Sequence, residues 1–328
     1  MRICVTGGCG FIASHFIEHI LRNTDWQIVA LDNLQEASAG FKRLRQNGSL
    51  DGGRVTLFTH NITQPIPQRM SDEIGELDYI VHMAAQSDVD AAIRDPIPCI
   101  HTNVMGTAHM LEFARSRVNQ GLKRFLYFST DEVFGAAPPG VFYKEWDRFR
   151  ASNPYAGGKA GGECLVDAWA KTYGVPAFST HTMNVYGETQ CITKFVPMII
   201  KKILNGETVQ IHADPTLKIS GSRCWIHARN VSAAVLWLLP KSEPGERYNI
   251  TGPERDNVWI AQTIADEIGK PLSYKLIDFH GSRAGHDLRY SLSDQKLKDM
   301  GWEYPVTLEA SLRKTVRWTL ERPEWLSI

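Results

Sequence analysis

The turn Thr6-Gly7-Gly8-Cys9-Gly10 lies between the β-rich run Ile3–Val5 and a stretch in which Phe11, Ile12, Phe16, Ile17, Ile20 and Leu21 recur at helix spacing. A strand that enters a helix through Gly7-x-x-Gly10-x-x-Ala13 leaves few folds open. The first glycine permits the turn, the second lets backbone approach a pyrophosphate, and Ala13 is small enough for helix–strand packing. Gln27–Leu31 reads as the next strand and ends at Asp32, about 20 residues on, where a carboxylate can accept hydrogen bonds from a ribose. Its charge repels a 2′-phosphate, so NAD is expected over NADP, with Lys42 and Arg43 arguing for the latter.

Further apolar runs at Val55–Phe58, Tyr79–Met83 and Phe125–Ser129 alternate with helical segments around 88–94, 101–117 and 155–173. This alternation predicts an α/β fold, a doubly wound parallel (Rossmann) sheet over residues 1–180. After about residue 180 the pattern is less regular, with helices expected at Lys194–Leu204, Val231–Leu239, Val258–Ile268 and Leu308–Leu320. Residues 181–328 are read as mainly a smaller C-terminal α/β substrate domain, with a segment near 220–250 returning to the sheet.

Thirty-six basic residues balance 36 acidic ones, so no global field draws the chain to nucleic acid or to an anionic membrane. No apolar run approaches the roughly 20 residues of a membrane span. The six cysteines have no CxxC or zinc spacing, as expected for reduced thiols in a cytoplasm. His15-Phe16-Ile17-Glu18-His19 matches a zinc-peptidase pattern, but it lies on the helix of the glycine turn and lacks a third ligand, so no metal is expected.

Ser129-Thr130-Asp131-Glu132 ends a buried-type strand, where open α/β sheets bind ligands. Tyr155-x-x-x-Lys159 follows, with both side chains on one helix face. An amine beside a phenol favours the phenolate, and two adjacent carboxyls supply a second acid–base pair. Gly157, Gly158, Gly161 and Gly162 interrupt the same helix at about 1 kcal/mol each, a cost that implies close packing against a cofactor or a partner helix.

Taken in order, these motifs resemble the extended short-chain dehydrogenase/reductase superfamily, and Thr130-Asp131-Glu132 is similar to the nucleoside-diphosphate-hexose 4,6-dehydratases within it. The likeness extends through Ala84-Ala85-Gln86-Ser87, Asn103-Val104-x-Gly106-Thr107, Asn184-Val185-Tyr186-Gly187, Lys194-Phe195-Val196-Pro197, Arg223-Cys224-Trp225 and Arg283-x-Gly285-His286-Asp287-x-Arg289-Tyr290. The resemblance implies that Tyr155, held as phenolate by Lys159 and the nicotinamide charge, takes the sugar 4-hydroxyl proton as hydride leaves for NAD. Thr130 would bond the C4 oxygen, Glu132 remove the C5 proton, and protonated Asp131 donate to the departing 6-hydroxyl. Returning the hydride to C6 would yield a 4-keto-6-deoxy sugar nucleotide.

It also implies a cofactor site of Gly7, Gly10, Phe11, Ile12, Asp32, Asn33, Asn61, Ile62, Ala84, Ala85, Ser87, Asn103, Ser129, Tyr155 and Lys159. Ser87, Asn184, Lys194, Arg223, Arg289 and Tyr290 would serve the substrate, with Tyr290 near the nucleobase, while His286 and Asp287 suit a structural role equally well. A homodimer paired through 101–117 and 155–173 is expected on the same ground. Departures from the family pattern fall at Asn61, Asp88, His181, Cys224 and Gly157-Gly158, leaving the nucleotide and hexose open. The rival readings are a 4-epimerase or decarboxylase on the same fold, which has no use for Asp131-Glu132 as an acid–base pair, and a non-catalytic nucleotide-binding scaffold.

Overall fold

The computed structural model describes residues 1–35, 37–278 and 288–327. Five apolar runs form strands β1 (Arg2–Thr6), β2 (Gln27–Asp32), β3 (Val55–Thr59), β4 (Tyr79–His82) and β5 (Arg124–Thr130), and a largely polar stretch forms β6 (Ala177–Thr182). With Arg247–Ile250 they build a seven-stranded sheet in the order Arg247–Ile250, β6, β5, β4, β1, β2, β3. Every pairing is parallel, and the order reverses at β1 and β4, which opens a crevice at the strands' C-terminal ends. Helix α1 (Phe11–Asn23) covers one face through Phe16, Ile17 and Ile20, and the helix Gly106–Arg117 covers the other through Met110, Leu111 and Ala114.

A third core lies beyond the sheet, where Ile199, Ile200 and Ile203 of the helix Phe195–Leu204 meet Ile260 and Ile264 of the helix Asn257–Ile268. The expected C-terminal helices are observed at Phe195–Leu204, Ala228–Leu238, Asn257–Ile268 and Leu308–Glu321.

Sequence patterning misses β6. Four of its six residues (Ser179, Thr180, His181, Thr182) are polar, yet all are buried, with the His181 ring held between Asn249 and Glu163. The stretch 101–117 is not one regular helix either. A π-helical segment, His101–Met105, separates Pro96–Ile100 from Gly106–Arg117 and turns Asn103 inward to 2% exposure.

The long helix Pro154–Tyr173 packs tightly against that segment. A Cβ on Gly161 would meet Val104 at 3.2 Å, and one on Gly162 would meet the Asn103 carbonyl at 2.8 Å and the Tyr127 hydroxyl. Gly157 faces open space. The close packing that the glycines announce is therefore made largely within this chain.

Candidate active site

At the end of β1 the backbone turns through Gly7 at φ +68°, and both Gly7 N–H (2.7 Å) and Gly8 N–H (3.2 Å) donate to the Leu31 carbonyl. A Cβ on Gly7 would stand 2.9 Å from Ala84 Cα, so only glycine fits between the two strand ends. Gly10 is the N-cap of α1 and offers no side-chain cap, leaving the first-turn N–H groups directed at the crevice. The half-buried Asp32 carboxylate accepts from Cys9 N–H at 3.0 Å and Leu34 N–H at 2.8 Å, which ties the turn to the end of β2. A glycine cradle, an uncapped helix start and a carboxylate facing the ribose position together suit a dinucleotide without a 2′-phosphate.

Lys42 and Arg43 are otherwise engaged: Lys42 lies 4.7 Å from the Trp325 ring centroid, and buried Arg43 donates to Thr189 O (3.1 Å) and Cys9 O (3.3 Å). Ile62 is buried and Ala84 half-buried in the core beneath the helix Gly106–Arg117, Ala85 is half-buried, and Asn33, Asn61 and Ser87 are exposed. Phe11 and Ile12 are half-buried in the first turn of α1. Asn103 clamps the Gln86 backbone, accepting from its N–H at 2.9 Å and donating to its carbonyl at 3.0 Å.

The strand β5 carries Ser129 and Thr130 to the crevice, and a 3-10 turn, Asp131–Phe134, presents the two carboxyls. Thr130 Oγ1 donates to Asp131 Oδ1 at 3.0 Å. Asp131 is 5% exposed, and its Oδ2 has no hydrogen-bond partner among the described residues. Burial, reinforced by the Glu132 charge, pushes its carboxyl up to about 7, against the pull of Thr130 and Arg223. Glu132 is held differently, for its Oε2 accepts from Asn153 Nδ2 at 2.9 Å. Two adjacent carboxyls thus sit in unlike environments, one inclined to keep its proton and one hydrogen-bonded as an acceptor. Paired groups of this kind divide into acid and base.

Tyr155 and Lys159 occupy the first turns of the helix Pro154–Tyr173, beside that pair. Burial, then the Glu132 charge, push Tyr155 up, while Lys159 Nζ donates to the Phe128 carbonyl at 2.6 Å and lies 4.2 Å from the Tyr127 ring centroid. Burial holds Lys159 down at about 7, opposed by the Glu163 charge.

Sequence reasoning gave no role to Asn153, whose Oδ1 caps the helix by accepting from Ala156 N–H at 2.9 Å while its amide positions Glu132. The signal was present as an N-cap residue before a proline at the first helical position. His15 Nε2–H, on the zinc-like motif, donates to the Glu188 carbonyl at 2.9 Å, and burial holds that ring down at about 4.

The residues expected on the substrate side come mostly from the C-terminal half of the chain. Asn184 adopts φ +37°, a strained backbone of the kind that clusters at functional sites. Lys194 is exposed at the start of the helix Phe195–Leu204. Arg223 donates to Ser222 O at 2.7 Å and Leu288 O at 2.6 Å, with its guanidinium 4.6 Å from the Tyr290 ring centroid. Arg289 is held by both oxygens of Glu254, at 2.7 and 2.8 Å, and donates to Pro138 O and Val141 O. Its guanidinium already serves to fasten the 137–142 segment. Residues 283–287 of the Arg-x-Gly-His-Asp motif, including His286 and Asp287, lie outside the described residues.

Residues 3–251 match the NAD dependent epimerase/dehydratase family, and the chain belongs to it. A dTDP-glucose 4,6-dehydratase of Escherichia coli is 32% identical over 99% of this chain and 95% of its own length. The low-salt glycan biosynthesis protein Agl12 of Haloferax volcanii is 35% identical over 98% of this chain and 99% of its own. Among solved structures, DesIV, the dTDP-glucose 4,6-dehydratase of Streptomyces venezuelae crystallised with NAD, superposes with a TM-score of 0.87 at 30% identity, covering 99% of this chain and 98% of that one. A Thermus thermophilus UDP-glucose 4-epimerase complexed with NAD reaches 0.83 at 27% identity, covering 97% and 98%.

Proposed function

We propose that this chain is an NAD-dependent nucleoside-diphosphate-hexose 4,6-dehydratase, a hydro-lyase that converts a dTDP- or UDP-glucose type substrate to its 4-keto-6-deoxy form and water. The observation that carries this reading is the contrast between Asp131, buried with an unpartnered oxygen and a raised pKa, and Glu132, held by Asn153. An epimerase has no step that needs that pair, whereas elimination across C5 and C6 needs one base and one acid.

NAD would lie against Gly7, Gly10, Asp32 and Ala84, and when bound supplies a hydride acceptor that gives the hydride back, together with a positive charge. The phenolate form of Tyr155 accepts the proton of the sugar 4-hydroxyl and becomes the phenol, and Thr130 hydrogen-bonds that oxygen. Glu132 removes the C5 proton that the 4-ketone has acidified, and Asp131 gives its proton to the departing 6-hydroxyl. Asn184, Lys194, Arg223 and Tyr290 face the nucleoside diphosphate, with Arg289 acting through the segment it fastens. Residues 1–180 with Arg247–Ile250 form the cofactor domain, and the remainder closes on the substrate.

The family likeness supports a homodimer, as does the exposed apolar set Ile93, Ile97, Ile100 and Met105 beside the long helix. A cytoplasmic setting fits six free cysteines, and among the described residues no helix is long and apolar enough to cross a membrane. The deciding experiment incubates the protein with dTDP-glucose and UDP-glucose and follows product mass. Loss of one water without net NADH is expected, whereas an epimerised sugar of unchanged mass would replace this reading with its rival.

A further inference from the structure

The polar strand β6 carries His181 into a fully buried cluster behind the reacting groups. His181 Nδ1 lies 2.9 Å from Asn249 Oδ1, and its Nε2 lies 3.0 Å from Glu163 Oε1. The amide orientation of Asn249 is settled by its Nδ2, which donates to the Tyr143 carbonyl at 3.0 Å and the Ser293 carbonyl at 3.1 Å. Its oxygen must therefore face the imidazole as an acceptor. Glu163 also meets Arg247 Nε at 3.0 Å, and its own side chain has no exposure. Burial alone would push this carboxyl up, but His181 and Arg247 outweigh it and hold it low, as an ionised acceptor. With an acceptor at each nitrogen, the ring has to carry both protons.

Glu163 stands four residues after Lys159 on the long helix, on the same face. Its charge is one of the two that oppose the burial of the lysine, the other arising from Cys99. Among the described residues, other ionisable groups around the cluster include Asp167, bonded to Arg247 at 2.7 Å, Glu145, which accepts from Asn249 N–H at 3.2 Å, and Tyr127 and Cys164, both of which feel the Glu163 charge. Aromatic rings of Phe134 and Phe149 close the other side of His181.

We propose that His181 is held as an imidazolium and, with Arg247, keeps Glu163 ionised beneath Lys159, so that Glu163 is the positioning residue whose charge keeps that lysine protonated. The inference deepens the proposed function and rests on it only in placing Lys159 in the reacting set. His181 and Glu163 touch no reacting atom. They act through Lys159, and through Asn249 they fasten the Tyr143 and Ser293 segments, next to Tyr290.

Side-chain NMR tests the proposal without any substrate. In uniformly 15N-labelled native protein at pH 7.5, His181 should show both ring nitrogens protonated. A neutral tautomer, with one nitrogen unprotonated, would overturn the assignment whether or not any variant folds. In Glu163→Gln, the Lys159 Nζ titration midpoint should fall by about one pH unit or more, as expected for loss of a neighbouring opposite charge. An unchanged midpoint in a folded variant would reduce Glu163 to a packing role. Absence of turnover on every nucleotide sugar would defeat the functional reading while leaving both titrations to decide this one.

Discussion

Buried polar groups at the cofactor end of the sheet form a neutral chain, whereas two strands away, at the catalytic edge, they carry charge. On the cofactor side, Ala84 N–H donates to Thr6 Oγ1, and Thr6 donates to His82 Nδ1 at 2.7 Å. His82 Nε2–H then donates to Thr107 Oγ1 at 3.2 Å, which donates to the Asn103 carbonyl. Every group is satisfied with an uncharged ring, and burial holds His82 down at about 3. On the catalytic side, His181 faces two acceptors, and Asp131 keeps an oxygen without a partner among the described residues. A site that only holds a ligand can be neutral and fully bonded. A site that moves protons has to keep groups poised away from their ordinary state, and such groups cost stability.

The comparison is broken most severely at Glu132. Glu132→Gln should lower kcat by about 10²–10⁴-fold, the usual worth of a positioned base, while bound NAD is retained on gel filtration. Loss of NAD together with activity would mean that the two regions are not separable.

Asp131 sharpens the stability side. Its folded pKa is raised from 3.8 to about 7, so the fold favours the protonated carboxyl. Stability contributed by that proton is lost as pH rises from about 4 through about 7. Asp131→Asn should therefore abolish dehydration yet raise Tm at pH 8, by roughly 2–4 °C for each kcal/mol regained, with little gain at pH 4. In the native enzyme the same titration predicts turnover falling as pH climbs past about 7.

On the cofactor side, Gly7→Ala forces a methyl towards Ala84 at a strained φ, a cost of about 1–3 kcal/mol. NAD affinity measured by fluorescence should fall about 10–100-fold, with dehydratase chemistry surviving at saturating cofactor. The smallest effects separate the helical glycines. Gly162→Ala should destabilise by about 1–3 kcal/mol through overpacking against Asn103 and Tyr127. Gly157→Ala, which meets nothing, should stabilise by up to about 1 kcal/mol in denaturant melts of the isolated chain.

Much of the architecture was legible because it repeats. Apolar runs at β1 to β5 mark a buried parallel sheet, and the glycine turn announces a backbone conformation that other residues cannot adopt. The strand β6 was illegible because its interior is polar: His181 finds its partners in Asn249 and Glu163, 68 and 18 residues away, and Arg247 meets Glu163 from further along the chain still. The π-helical segment was hidden for a related reason, since its register comes from packing against Gly158, Gly161 and Gly162 rather than from local propensity.

Residue identity alone determined that a nucleotide turn, a Tyr–Lys pair and two adjacent carboxyls exist in one chain, and so which chemistry is available. Tertiary structure alone showed that Asp131 is the more deeply buried carboxyl, that Asn153 orients the other, and that Lys159 leans on a carbonyl with Glu163 one turn further along its helix. The physical reason is desolvation. The energy of a charge depends on what surrounds it in three dimensions, and those surroundings come from β5, β6, the long helix and Arg247, which meet only after folding.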